Sequence, residues 1–180
     1  MSNIKKVVVI GPESTGKTTL CEKLAAHYKT GWVTEYAREF LGLNGKAYNA
    51  DDLLTIAEGQ LKNEAYATFN MEHSKAPTKF LFIDTDLYVI KIWSEFVFNS
   101  CANSILTQIA SRQYDLYLLC NTDVPWVNDA LREYPDKQRR EHLFHMYKDA
   151  MINQSAPWVE INGNYEQRLN RAIDAVNNIL

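Results

Sequence analysis

Gly11-Pro12-Glu13-Ser14-Thr15-Gly16-Lys17-Thr18 follows directly on the apolar run Val7 to Ile10 and leads directly into an amphipathic stretch. The spacing is G-x-x-x-x-G-K-[ST], and each fixed position has a physical task. The glycines let the backbone wrap closely around an anion with its N–H groups turned inward. Lys17 adds a point charge and Thr18 offers a hydroxyl to Mg²⁺. A helix beginning near Gly16 aims the positive end of its dipole at the same phosphates. Gly11, Glu13, Ser14, Thr15, Gly16, Lys17, Thr18 and Thr19 are therefore the expected contacts of a nucleotide triphosphate.

The rest of the chain supplies the frame such a loop requires. Lys5 to Ile10 is a continuous β-branched run, as a strand buried on both faces of a parallel sheet would be. Leu20, Leu24 and Tyr28 then recur at helical spacing, with Gly31 as the expected stop. Trp32 to Thr34 reads as a short second strand that ends on the charged block Glu35 to Glu39. A loop carrying Gly42, Gly45 and Asn49 follows. Asp51 to Ser74 has helical periodicity closed by Pro77, and Lys79 to Asp84 is a third strand. Leu87 to Phe98 and Ser104 to Gln113 read as helices, and Asp115 to Cys120 as the fourth strand. A helix running to about Gln154, a fifth strand Pro157 to Ile161 and a last helix capped by Asn164 complete the pattern. Strands alternating with helices imply right-handed crossovers. The expectation is one domain over residues 1–180: an α/β P-loop nucleotide-binding domain with three layers, α/β/α, and a five-stranded parallel sheet.

At 180 residues, with 46% hydrophobic and 23% charged content, the composition is that of a soluble single-domain protein. The N-terminus runs straight into the first strand, leaving no room for a signal peptide, and no apolar run is long enough to span a membrane. A cytoplasmic protein is expected. Cys21, Cys101 and Cys120 are scattered singly, so neither a disulfide framework nor a zinc knuckle is indicated. A net charge of −3 argues against nonspecific nucleic-acid binding and for a small phosphorylated ligand. Oligomeric state is not readable.

Phosphoryl transfer requires the γ-phosphate held, its growing charge neutralised and the acceptor hydroxyl placed in line. Lys17 and Thr18 serve phosphate and metal. Asp84, at the tip of an apolar strand, stands where a carboxylate holds Mg²⁺ directly or through water, although it also precedes a helix it could cap. Asp86 could contact the acceptor hydroxyls, take the acceptor proton, or cap the same helix. Glu35 and Arg38, at a neighbouring strand end, suit ribose hydroxyls and a phosphate. Among Arg132, Lys137, Arg139 and Arg140, placed between the fourth and fifth strands, Arg132 is the first candidate, with Arg139 and Arg140 next, for a lid, about residues 126–141, that closes over the triphosphate. His142 and His145 are three apart on a helix but lack a third ligand nearby, which favours the surface. Of four Trp and ten Tyr, most belong to the core; Trp32, Tyr36 and Tyr66 are those expected on the acceptor side.

Together, the phosphate loop, the block Glu35 to Phe40, Gln60, Phe82 to Asp86 and Asn121 to Arg132 resemble the NadR-type ribosylnicotinamide kinase domain over nearly the whole chain. The resemblance implies a nucleoside-monophosphate-kinase-like fold with a short arginine-bearing lid, and phosphorylation of nicotinamide riboside by ATP with Mg²⁺. It assigns Lys17 and Thr18 to the ATP site, Glu35, Arg38, Gln60 and Asp86 to the riboside, and Arg132 to the lid. Asn162, Asn164 and Tyr165, after the last strand, look like the turn that borders adenine. Bifunctional members carry an adenylyltransferase domain ahead of this one; only ten residues precede Gly11, so that activity is expected to be absent. Family members also place an aromatic residue before the E-Y-x-R-E-F block, where this chain has Thr34, and Trp32 on the same strand face is the expected substitute. Kinases of other nucleoside-like or vitamin-like alcohols, and a P-loop ATPase acting as a regulatory module, remain alternatives.

Overall fold

In a computed structural model that describes residues 4–74 and 80–179, five parallel strands lie in the order β2-β3-β1-β4-β5. They are β1 (Lys5–Ile10), β2 (Trp32–Val33), β3 (Phe80–Asp84), β4 (Leu116–Cys120) and β5 (Trp158–Ile161). Between and after them run α1 (Lys17–Tyr28), α2 (Tyr36–Asn44), α3 (Ala50–Glu72), α4 (Leu87–Phe98), α5 (Asn103–Ser111), α6 (Lys137–Ile152) and α7 (Tyr165–Asn177). The run Val7 to Ile10 is wholly buried because it is the middle strand, and alternate side chains feed two cores. Val7 and Val9 pack with Leu20, Leu24, Ala172 and Val176 of α1 and α7. Val8 and Ile10 pack with Ile92 of α4 and with Leu143 and Tyr147 of α6. The sheet is thus covered on both faces, as its β-branched strands require.

Register places the chemistry. Val9 of β1 is paired with Asp84 of β3, and Thr85 N–H donates to the Val9 carbonyl at 3.1 Å. The loop after β1 and the carboxylate ending β3 therefore meet at the carboxyl edge of the sheet, where β1 is flanked by strands reached in opposite directions. That is where open parallel sheets bind ligands.

Four local expectations change. The helix α1 stops on Lys29, in the left-handed region with φ 53°, whose N–H reaches the Ala25 and Ala26 carbonyls, and not on Gly31. Residues 36–44, taken for the end of a strand followed by a loop, form α2, because Tyr36, Ala37 and Phe40 fall on one face and pack against Leu53, Ile56 and Ile90. Thr34 lies outside β2 and is exposed. Pro77 and Lys79 lie outside the described residues. The long α3 begins at a reciprocal cap between Asn49 and Asp52, one residue before its expected start.

Gly11 presses its backbone against that of β4. Its φ is +139°, and a Cβ there would lie 2.6 Å from the Cys120 carbonyl oxygen of β4. Gly11→Ala is expected to cost on the order of 3 kcal/mol, from backbone strain and overpacking together. A urea unfolding series would check it.

Candidate active site

The loop Gly11 to Thr18 closes on itself through side chains as well as backbone. Thr15, fully buried, donates its hydroxyl to the Pro12 carbonyl at 2.7 Å, and the Lys17 ammonium rests on the same carbonyl at 3.0 Å. Gly16, with φ 80°, is the residue from which α1 departs, so its N-terminal amides face the loop. Thr18 donates its hydroxyl to Asp84 Oδ2 at 2.5 Å.

Asp84 has no exposed surface, and its Oδ1 is buried without a hydrogen-bond partner among the described residues. Burial, then the Glu35 carboxylate, push its acid up to about 7, against the pull of Lys17, Thr18 and Arg38. An orphaned carboxylate oxygen beside a threonine hydroxyl is a hard-oxygen pair suited to Mg²⁺. The residues present fit the metal that the motif implies.

Two cavities meet at this loop. One, of about 130 Å³, is lined by residues 13–19 with Glu35, Arg38, Leu131 and Arg132. The other, of about 110 Å³, runs between α2, α3, α4 and α6 over Leu53, Ile56, Ile90 and Leu143, with aromatic walls from Tyr48, Trp93 and Tyr147. Both are bordered by Glu13, Lys17, Glu35, Ala37, Leu41 and Leu131. A polar, cationic chamber thus adjoins an apolar, aromatic one, with lysine and carboxylate at their junction.

Not all sequence candidates gather there. Trp32 packs on the α1 face of the sheet, opposite the aromatic cavity, since β2 turns Trp32 and Val33 to different cores. Tyr36 caps the apolar contact between α2 and α3, its ring against Gly59, where any Cβ would come within 2.1 Å. Tyr66 is 69% exposed. The aromatic residues that do wall the cavity are Tyr48, Trp93 and Tyr147, with the Trp93 indole donating to the Tyr48 hydroxyl at 2.6 Å.

Gln60 is buried and used as a brace. Its oxygen accepts Tyr36 N–H at 2.8 Å, and its amide donates to the carbonyls of Thr85 at 3.0 Å and Asp84 at 3.4 Å. It fixes the start of α2 to the tip of β3 and borders neither cavity. Asp86 is likewise withdrawn: Oδ1 accepts Tyr88 N–H as the cap of α4, and Oδ2 accepts the Tyr117 hydroxyl at 2.8 Å. Of the readings open for Asp86, the structure favours the cap. Thr85 between the two aspartates has φ 69°, an uncommon conformation for a β-branched residue.

The arginines divide. Arg132 borders the phosphate chamber, whereas Arg139 is exposed and lies over the Tyr134 ring at 5.4 Å. Arg140, 5% exposed, reaches the Ser14 and Val124 carbonyls at 3.5 and 3.4 Å and leaves its Nε buried without a partner among the described residues. Arg38 pairs with Asp129, in the segment between β4 and α6, at 2.8 Å and with Glu35 more loosely at 3.7 Å. His142 and His145 are exposed.

Behind the loop, Asn164 spends its side chain on a reciprocal cap with Gln167, leaving Tyr165, 51% exposed, beside Gly16, Thr19 and Lys23. Asn162 lies in the turn between β5 and that cap. Sequence reasoning missed Arg168. It is 4% exposed, and its guanidinium donates to the carbonyls of Thr15 (2.8 Å), Asn121 (2.8 Å) and Gly163 (2.9 Å), and pairs with Asp123. The signal was available: position 168 falls on the apolar stripe of α7 with Ala172, Ala175 and Val176.

This loop, frame and pair of chambers define a P-loop nucleotide-binding domain. The model of an AAA domain family, AAA_28, matches residues 6–168, and the chain belongs to that family. It is also 25% identical over 182 aligned residues to the trifunctional NAD biosynthesis/regulator protein NadR of Escherichia coli (strain K12), and equally to that of Salmonella typhimurium. Each alignment takes in 98% of this chain but 43% of the relative, so the chain spans about two fifths of those proteins. Among solved structures, a NadR protein in complex with NR superposes with a TM-score of 0.73 at 24% identity, covering 98% of this chain and 51% of that one. A NadR protein in complex with NAD and AMP-PNP gives 0.73 at 26%, covering 98% and 49%. The resemblance drawn from the sequence blocks agrees with these relatives, and the five-stranded parallel α/β architecture with its neighbours.

Asp86 permits a clean test of burial. Desolvation pushes its acid up from 3.8 to about 7, so the folded state holds a proton that the unfolded chain has already released. Its contribution is favourable below about pH 4 and is lost as pH rises towards 7. Asp86→Asn keeps a capping oxygen and removes the titration. The variant's stability relative to the parent is expected to rise between pH 4 and 8, read as the shift in urea midpoint.

Proposed function

We propose that this chain is a small-molecule kinase that transfers the γ-phosphoryl group of ATP to a hydroxyl of nicotinamide riboside, forming nicotinamide mononucleotide in NAD salvage. The observation that carries the reading is the junction of the two chambers, where a phosphate cradle opens onto an aromatic-walled cavity beside Lys17 and Glu35. The NadR relatives, and their structures with NR and with AMP-PNP, support the choice of nucleotide and acceptor. Residues 1–180 act as one kinase domain with a lid over 126–141, working in the cytoplasm on small molecules.

In this reading the amides of the loop and the Lys17 ammonium hold the phosphates, and Lys17 exchanges its contact with the Pro12 carbonyl for phosphate oxygen. Thr18 and Asp84 would hold Mg²⁺, which when bound neutralises charge on the phosphates. Arg132, with Arg38, completes a cationic wall around the transferring group. Glu35 borders both chambers and is the carboxylate placed to accept a bond from the acceptor hydroxyl and orient it; the reaction asks for alignment more than for a strong base. Trp93, Tyr48 and Tyr147 receive the pyridinium ring. They provide the aromatic surface that Thr34 lacks and that Trp32, on the far side of the sheet, does not give. A cationic ring against aromatic faces is attracted by their quadrupoles.

The deciding experiment is ADP release with ATP and Mg²⁺, without acceptor and then with nicotinamide riboside, the product identified by mass. Strong stimulation is expected; its absence in a folded, ATP-binding preparation would overturn the reading. Lys17→Ala should lower kcat by about 10²-fold or more while the fold persists. Trp93→Ala should raise the acceptor KM by roughly tenfold with less effect on the KM for ATP.

A further inference from the structure

We infer that Glu13 and Ser14, although they belong to the phosphate loop, are positioning residues that latch the lid, and that Glu13 serves Arg132 rather than the nucleotide. The inference rests on residues 126–141 being a lid, but not on the identity of the acceptor.

Residues 122–136 form neither helix nor strand, so their backbone N–H groups have no ladder to satisfy them. Three of these donors find partners on the phosphate loop. Val127 N–H donates to Ser14 Oγ at 2.9 Å. Glu133 N–H donates to both oxygens of Glu13, at 3.0 and 3.1 Å, and Tyr134 N–H donates to Glu13 Oε1. A carboxylate capturing two successive amides is a charge-assisted arrangement, stronger than a neutral hydrogen bond. The two anchor points bracket the arc of residues 128–132. That arc contains Leu131 and Arg132, the lid residues bordering the phosphate chamber, and Asp129, which is tied to Arg38. Fixing both ends of five residues fixes where the Arg132 side chain begins.

Charge argues the same way. A free carboxylate bordering the phosphate chamber would repel a polyphosphate, whereas one whose oxygens accept two amides has its charge partly offset. Glu13 therefore links the lid to the loop that nucleotide binding must order. The opposite face of the lid is held by Tyr134, whose ring meets those of Trp93 and Phe96 edge to face at 5.5 and 5.4 Å. The latch thus joins the phosphate loop to a wall of the aromatic cavity.

Limited trypsin digestion reads the lid directly, since Arg132 and Lys137 are cleavage points within it. In Glu13→Ala, cleavage of the folded protein after these residues is expected to accelerate about tenfold, the equivalent of one lost charge-assisted hydrogen bond. Turnover should show kcat down by a similar factor, KM for ATP within about twofold, and a larger share of ATP hydrolysed without acceptor as water enters the open site. Glu13→Gln, which keeps an accepting oxygen, should restore most of the protection. Ser14→Gly is the second variant: it suits the φ of 57° at this position and removes only the hydroxyl that holds Val127, so faster cleavage is expected there too. Unchanged cleavage in both Glu13→Ala and Ser14→Gly would overturn the inference. So would a raised KM for ATP with unchanged cleavage, which would make Glu13 a nucleotide ligand. Failure of nicotinamide riboside as a substrate would leave the digestion result standing.

Discussion

The hydrogen bond from the Thr18 hydroxyl to Asp84 ties together the parts on which the site depends. It joins the first turn of α1 to the end of β3, across the register that sets Val9 beside Asp84. A carboxylate with no exposed surface and an unpartnered oxygen is held there at a cost in desolvation. Such a group persists only where the surrounding structure over-determines it, and here the sheet does so. The middle strand is buried on both faces, its neighbours are locked by parallel ladders, and Gly11 lets the loop pass against the β4 carbonyl without a side chain in the way.

Around that contact, long polar side chains work as internal struts. Gln60 joins α2 to the tip of β3, Arg168 joins the phosphate loop to two further loops, and Glu13 joins the same loop to the segment between β4 and α6. Each satisfies backbone groups that irregular segments would otherwise leave bare. The irregular segments are also the ones that border the chambers, so one set of hydrogen bonds provides both local order and site geometry. Burial and then the Glu35 carboxylate raise the proton affinity of Asp84. Cationic partners, Lys17 and Arg38 among them, oppose that rise, which is the electrostatic setting a metal-bound polyphosphate would complete.

Most of the fold was legible because its signals are local. The phosphate loop has fixed spacing, the strands are apolar runs with clear ends, and α3, α4 and α7 are periodic. The exception is α2, where Gly42 and the charges of Glu35, Arg38 and Glu39 masked a short helix whose stability comes from packing against α3. The site divided along the same line. Residues named by the loop motif, with Asp84, Glu35 and Arg38 at strand ends, came together, while Asp86 and those chosen for being aromatic did not. Trp32 was placed by strand parity, but parity alone does not say which face of the sheet carries the cavity. Trp93 and Tyr48 meet only in three dimensions, from helices α4 and the approach to α3, and no spacing in the chain announces them. Gln60 and Arg168 were readable in principle, as polar residues on apolar helical stripes.

The Arg168 strut has a consequence for how the protein is made. The guanidinium that holds the Thr15 carbonyl lies 153 residues further along the chain. At the usual pace of synthesis, the residues of the cradle are translated roughly 8–30 s before their brace. Helix α7 must then dock against α1 before the loop takes its final shape. A nascent chain can assemble β1, α1 and β3 early, but it gains a finished triphosphate cradle only once α7 has been made. Competence to bind nucleotide is therefore tied to completion of the domain.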